Sequence, residues 1–160
     1  MDLNLLVHTT ASISALISGA LIIMTTKGTS IHKRVGYVYS ISMLVVLITS
    51  FFIFDLFGAF GVYHGLSIVS FLTLGIALSF PLFFRSKSNW VEHHMVWMGY
   101  SYVGLVMAGG SHLFTIFPEW SASLRMVLFW GMPYAIGTYL IFSKKKTIVQ
   151  NAILEMSKKA

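Results

Sequence analysis

The sequence predicts an all-α membrane protein: a polytopic bundle of five transmembrane helices, with the N-terminus outside and the C-terminus in the cytoplasm. Composition is the first observation, because 56% of the 160 residues are hydrophobic and only 10% are charged. Soluble domains carry about 25% charged residues, enough to cover their surface with polar groups. This chain lacks that polar cover, so lipid is the solvent that suits it.

Long apolar runs are the second observation. A helix that crosses a hydrocarbon core of about 30 Å needs roughly 20 mostly apolar residues. Five runs meet this length, and Pro133 inside the last of them predicts a kink. The bundle should then cover residues 1–146, followed by a short basic amphipathic cytoplasmic tail, 147–160, that is suited to the membrane surface. The runs cover residues 4–25, 35–57, 61–84, 92–117 and 122–142.

The distribution of basic residues is the third observation, and it sets the orientation. Lysine and arginine occur in the links after runs one and three and directly after run five. The link between runs two and three has neither, and the link between runs four and five carries Glu119. Basic links face the cytoplasm. The net charge of +6 therefore indicates contact with anionic lipid headgroups, and we expect no nucleic-acid partner.

Six histidines are the main functional clue, and there are no cysteines. Without cysteine, disulfides, thiolate metal sites and cysteine nucleophiles are excluded. Ionisable side chains are costly in lipid and tend to mark functional sites. Counting 1.5 Å per residue from the basic ends, three histidines lie roughly 27 to 32 Å from the inner boundary. This outer trio is His8, His64 and His112, and the inner trio is His32, His93 and His94.

Two cofactor hypotheses follow from these levels. In the first, the outer trio of His8, His64 and His112 binds zinc or another divalent metal, because three imidazoles with an open fourth position form a familiar zinc site. In the second, His32 and His94 hold a b-type haem in an electron-transfer or quinone-linked protein. A third hypothesis is that the protein has no catalytic role and is an accessory, assembly or small transport protein. It would then act as a homo-oligomer or with a membrane-protein partner. No nucleophile or phosphate-loop motif appears, so enzymatic activity stays open.

Several short segments together resemble a known family. The first segment contains Lys27, Gly28, Thr29, His32, Gly36 and Tyr37. The second contains Phe57, Gly58, His64 and Ser70. The third contains Trp90, His94, Met98, Ser101, Gly104 and Leu105. This combination resembles the bacterial membrane-protein family called domain of unknown function 2306, over roughly residues 8–118.

The resemblance implies a small helical protein of the bacterial cytoplasmic membrane and implies no particular activity. Its motif histidines would correspond here to His8, His32, His64 and His94. Many relatives carry an acidic residue where this chain has His112. Histidine and carboxylate commonly replace each other as ligands of metal ions but not of haem, so the resemblance favours a metal ion at the outer trio.

Overall fold

The computed structural model describes residues 2–54 and 60–158, and these residues form helices and connecting turns without a strand. Five long helices follow one another along the chain. They are α1 (Leu3–Met24), α2 (Ser30–Ser50), α3 (Val62–Phe83), α4 (Trp90–Ser111) and α5 (Ala122–Ser157). A 3₁₀ turn, His112–Thr115, follows α4. The predicted all-helical architecture is therefore confirmed.

Helices α1 to α4 pack as a ring in which each contacts the next and α4 returns to α1, while α5 packs on α4. Helices α2 and α4 consequently lie on a diagonal of the ring. Six buried side chains fill the centre, from Ala15 of α1 to Leu105 of α4, with Tyr39 and Leu74 almost fully enclosed. Large apolar side chains cover the outside of α1, α2, α3 and α5.

Four of the five long helices have the length and apolar composition to cross a membrane: α1, α2, α3 and α5. Helix α4 is as long as α1 but carries Glu92, two histidines and four glycines. The neighbouring helices enclose α4, since Ala108 is its single exposed residue, and this enclosure explains how its polar residues are accommodated. A helix enclosed by protein need not be apolar all round.

Several predicted helix ends differ from those in the structure, and at the start of α2 a side-chain cap explains the difference. Helix α2 begins at Ser30 rather than at residue 35, since the Thr29 hydroxyl accepts a 3.2 Å hydrogen bond from the His32 backbone N–H. It ends at Ser50, and the last residues of the predicted run, 55–57, lie outside the described part of the chain. Helix α4 ends at Ser111 instead of 117.

Helix α5 continues through the three lysines at 144–146 to Ser157, so the predicted end at residue 142 is too early. A charge run ends an apolar segment but not a helix, because lysine is a good helix former. Lys145 also pairs with Glu92 of α4 at 2.7 Å. Further on, Ala152 is buried, and its carbonyl packs beside Gly28 in the α1–α2 link. The amphipathic tail thus packs partly on the bundle itself.

A change of helix type lies close to Pro133, while the predicted kink itself stays a prediction. A π-helical turn, Val127–Gly131, lies directly before it in α5. Proline has no N–H, so the Phe129 carbonyl loses its usual donor four residues along the helix. Gly110 of α4 approaches this carbonyl so closely that a Cβ atom there would lie 2.9 Å from the Phe129 oxygen.

Candidate functional site

A buried hydrogen bond fixes the register of α2 against α4. The Tyr39 hydroxyl lies 2.9 Å from the Ser101 hydroxyl across the diagonal of the ring. His32 precedes Tyr39 by seven residues, and His94 precedes Ser101 by the same number. Seven residues are nearly two helical turns. His32 therefore lies about 10 Å from Tyr39 along α2, and His94 lies about 10 Å from Ser101 along α4, each on almost the same face of its helix.

The inner histidines interact across this diagonal. His32 interacts electrostatically with His94 and with Lys27. The Tyr39–Ser101 bond and the His32–His94 pair join α2 to α4 with the same offset, so the two helices run in the same direction. The two residues of the predicted haem pair therefore lie at one level of the bundle and interact electrostatically. The third inner histidine, His93, turns away and stacks on Phe80 with 5.0 Å between ring centroids.

The tautomer of His94 follows from its partner. Its Nδ1 lies 2.8 Å from the Ala77 carbonyl oxygen, which can only accept, so Nδ1 carries the proton. Its Nε2 then keeps a free lone pair, as in a metal-ligating histidine that donates its other N–H to a backbone carbonyl. Pro81, inside α3, makes this carbonyl available because it has no N–H to donate to the residue four positions earlier.

His32 offers a second unsatisfied nitrogen at this level. Its Nδ1 is buried and has no hydrogen-bond partner. Nearby, Lys27 donates to the carbonyls of Ile22, Ile23 and Thr25 and so caps the C-terminal end of α1. Burial lowers the pKa of Lys27. The inner end of the bundle thus combines two histidines at one level with an amine bonded to backbone oxygens.

At the outer level, His8 is positioned by Thr49. The Thr49 hydroxyl donates its one proton to the Val45 carbonyl at 2.7 Å, so it accepts from the His8 Nδ1, which lies 2.9 Å away. The His8 Nε2 therefore also keeps a lone pair. His8 interacts electrostatically with His112, the first residue of the 3₁₀ turn. Two members of the predicted zinc site thus interact electrostatically.

His64, the third member, has a different environment. Its Nδ1 accepts a 3.1 Å hydrogen bond from the Gly61 N–H, an arrangement that caps the start of α3. Because that bond occupies the lone pair, the proton lies on Nε2, which is buried and has no hydrogen-bond partner among residues 2–54 and 60–158. Phe54 and Phe60 stack on the ring, with centroid distances of 5.0 and 4.7 Å. His64 therefore presents a donor rather than a free lone pair.

Within residues 2–54 and 60–158, no three histidine or carboxylate side chains form a group that could hold a metal ion. The zinc site of His8, His64 and His112 accordingly stays a prediction.

Two groups that position histidines were not predicted from the sequence: the Thr49 hydroxyl beside His8 and the Ala77 carbonyl beside His94. A visible signal existed for the last, since a proline inside a helix leaves the carbonyl four residues earlier without its usual partner.

Replacing Pro81 by alanine should weaken the orientation of His94. Alanine restores an N–H that bonds to the Ala77 carbonyl and competes with the His94 Nδ1–H. Nitrogen-15 NMR of labelled histidine reads the tautomer directly, and we expect the Nδ1–H form of His94 to lose population. Pro133→Ala is the matched control, an intrahelical proline in α5 that should leave His94 unchanged. An identical His94 signal in Pro81→Ala would disprove this role for Pro81.

Comparison with known proteins identifies one family. The family described as "Predicted membrane protein (DUF2306)" matches residues 5–142, which is most of the chain and includes all six histidines. No curated protein and no solved structure matches the chain. The described helices agree with that description, since four of them could cross a membrane. The chain belongs to the DUF2306 family of predicted membrane proteins.

Proposed function

We propose that this protein is a b-type electron-transfer protein of the membrane, in which His32 and His94 would hold one haem. The observation that carries the proposal is that the two histidines lie at one level of the bundle and interact electrostatically. His32 and His94 lie on the α2–α4 diagonal, nearly two turns below the same Tyr39–Ser101 bond. Haem between two bundle helices takes one histidine from each side, and neutral imidazole is a common haem ligand.

Lys27 favours haem over a bare metal ion at this pair. A divalent cation between His32 and His94 would be repelled by the ammonium group that interacts with His32. Haem carries two propionates, and carboxylates are attracted to such a group. Bound haem would supply one-electron chemistry. The protein's part is to hold the His94 ring through the Ala77 carbonyl and to keep the site inside the helix ring.

The region between His32 and His94 leads to a prediction about the stability of the protein with added haem. The two described grooves lie elsewhere, one between α1 and α2 and one beside Phe51. We expect a macrocycle at the inner pair to spread the helix ends and repack their side chains. Because a ligand stabilises the state that it binds, haem added to apo-protein should raise the thermal midpoint in a concentration-dependent way.

Optical and elemental analysis of one detergent-purified sample tests the proposal. Protein made in haem-replete cells should show a Soret band, with about one haem per chain and a sharp α band after reduction. Neither haem nor metal in folded protein would refute the cofactor proposals and favour the accessory role. Zinc without haem would favour the outer trio.

The outer trio is a second proposal, supported by the electrostatic interaction of His8 with His112 and by the free lone pair on His8 Nε2. Zinc there would be held by His8 and His112, with His64 joining after it releases the Gly61 N–H. About one equivalent of zinc should then be found, and both His8→Ala and His64→Ala should remove it. Zinc that remains bound in both variants would show that the metal site is not at the outer trio.

We further propose that all five long helices cross the bacterial cytoplasmic membrane, with the N-terminus outside. Helix α4 can cross despite its polarity because its neighbours enclose it. An odd number of crossings also leaves the basic links on one side. Green fluorescent protein fused to the C-terminus should fluoresce, and alkaline phosphatase fused to the N-terminus should be active. Both termini on one side would contradict a five-span topology.

A further inference from the structure

An open groove runs along the outer surface of the α1–α2 pair. It has a volume of about 360 Å³. Its walls are formed by Ser14, Ile17, Ser18 and Leu21 of α1 and by Val38 of α2, with Arg34 among its lining residues near the start of α2. From Leu21 to Ser14 the groove extends about 10 Å along the helix, counting 1.5 Å per residue. It therefore runs from the basic end of the bundle toward its middle.

Both serine hydroxyls in the groove wall already have hydrogen-bond partners within the protein. The Ser14 hydroxyl pairs with that of Ser42 at 2.9 Å. The Ser18 hydroxyl donates to the Ser14 carbonyl at 2.6 Å, back within its own helix. The remaining wall side chains are aliphatic. The interior of the groove thus suits a hydrocarbon chain rather than a sugar, a peptide or another polar ligand.

Arg34 gives the groove a single charged end. The ion pairs among the described residues join Lys145 to Glu92 and Lys158 to Glu155, so Arg34 belongs to neither. Lys33 adds a neighbouring positive charge, and no acidic residue occurs between residues 3 and 54. Lys27, by contrast, is held by backbone carbonyls. The groove combines an apolar channel with a guanidinium at the level where headgroup phosphates lie.

We propose that this groove binds one anionic phospholipid, with an acyl chain between α1 and α2 and the headgroup phosphate on Arg34. Guanidinium is the side chain best shaped for phosphate, because it donates two parallel N–H bonds. The net negative headgroup matches the local excess of positive charge. The site is on the outside of the ring and does not depend on the cofactor proposed for its interior.

Native mass spectrometry of protein released from nanodiscs tests the site. The nanodiscs contain equal amounts of phosphatidylglycerol and phosphatidylcholine with identical acyl chains. Wild-type protein should retain phosphatidylglycerol preferentially, and Arg34→Gln should reduce that preference about fivefold, as expected for one basic residue at an anionic surface. Arg85→Gln is the matched control, since it removes one charge from another basic link and should leave the preference unchanged.

A second variant tests the groove without altering charge. Val38 is half exposed in the groove wall. Val38→Phe should fill the channel and reduce the retention of both lipids, while helix content by circular dichroism stays as in the wild type. Equal losses in Arg34→Gln and Arg85→Gln, or no loss in either, would overturn the proposal, as would unchanged retention in Val38→Phe.

Discussion

Gly19→Ala should destabilise the bundle by about 1–3 kcal/mol, the usual cost of overpacking a core. A Cβ atom at this position would overlap the ring of Tyr102 on α4 and lie 3.1 Å from the Tyr39 ring. Tyr102 cannot move freely, because its hydroxyl donates to the Leu16 carbonyl at 3.2 Å. Gly19 thus permits α1 to pack closely against α4 at the centre of the ring, and any side chain there has to displace an aromatic ring.

Gly75→Ala on α3 is the matched control for this prediction. Nothing lies within 4 Å of a Cβ atom built at Gly75. Alanine there should be neutral or stabilising by about 0.5–1 kcal/mol, because alanine loses less backbone entropy than glycine in a helix. Thermal unfolding of both variants in the same detergent measures the difference. Equal midpoints for Gly19→Ala and Gly75→Ala would show that α1 does not approach α4 as described.

His94→Ala should remove haem from the purified protein, with a fall in haem content of more than about tenfold. The loss of groups that only orient a ligand already costs 10–100-fold in affinity, and this change removes the ligand itself. The expected result is a missing Soret band in protein whose helix content is preserved. His32→Ala should have the same effect, because the proposal needs both histidines to hold the haem.

His93→Ala provides the control, since it alters the adjacent residue on the same helix. His93 lies against Phe80, and its Nε2 is 2.9 Å from the Asn89 side-chain nitrogen, away from His32. Haem content in this variant should match the wild type. Haem that is retained in His94→Ala but lost in His93→Ala would reverse the assignment of the two neighbouring histidines.

Hydropathy and charge were sufficient to predict the helical class and the approximate position of each long helix. The length of an apolar run indicates whether a helix lies in lipid or in water, but it does not indicate the hydrogen bonds at the ends of the helix. The start of α2 depends on the Thr29 cap, and the continuation of α5 depends on helix-forming lysines. The polarity of α4 could be interpreted only when its neighbours were known, because composition alone cannot distinguish lipid from protein as surroundings.

The sequence predicted the depth of each histidine in the bundle, but it did not predict the hydrogen-bond partners of the histidines. Residue counting placed His32 and His94 at one depth, and the two interact electrostatically in the structure. The same counting grouped His8, His64 and His112, although the nitrogen of His64 that would bind a metal is used to cap α3. The protonation of a histidine depends on groups far away in sequence, such as the Ala77 carbonyl for His94. Those partners cannot be deduced from spacing along one helix.

The proposed function depends on one spatial relation, the approach of His32 to His94 across the ring. The chain has no native cysteine, so a double variant contains only the two introduced thiols. In native membranes, a short bifunctional thiol reagent should cross-link the His32→Cys/His94→Cys variant within one chain and change its mobility in gels. The His32→Cys/His93→Cys variant should react far less. Equal cross-linking of both pairs, or none of the first, would contradict this approach and the haem site with it.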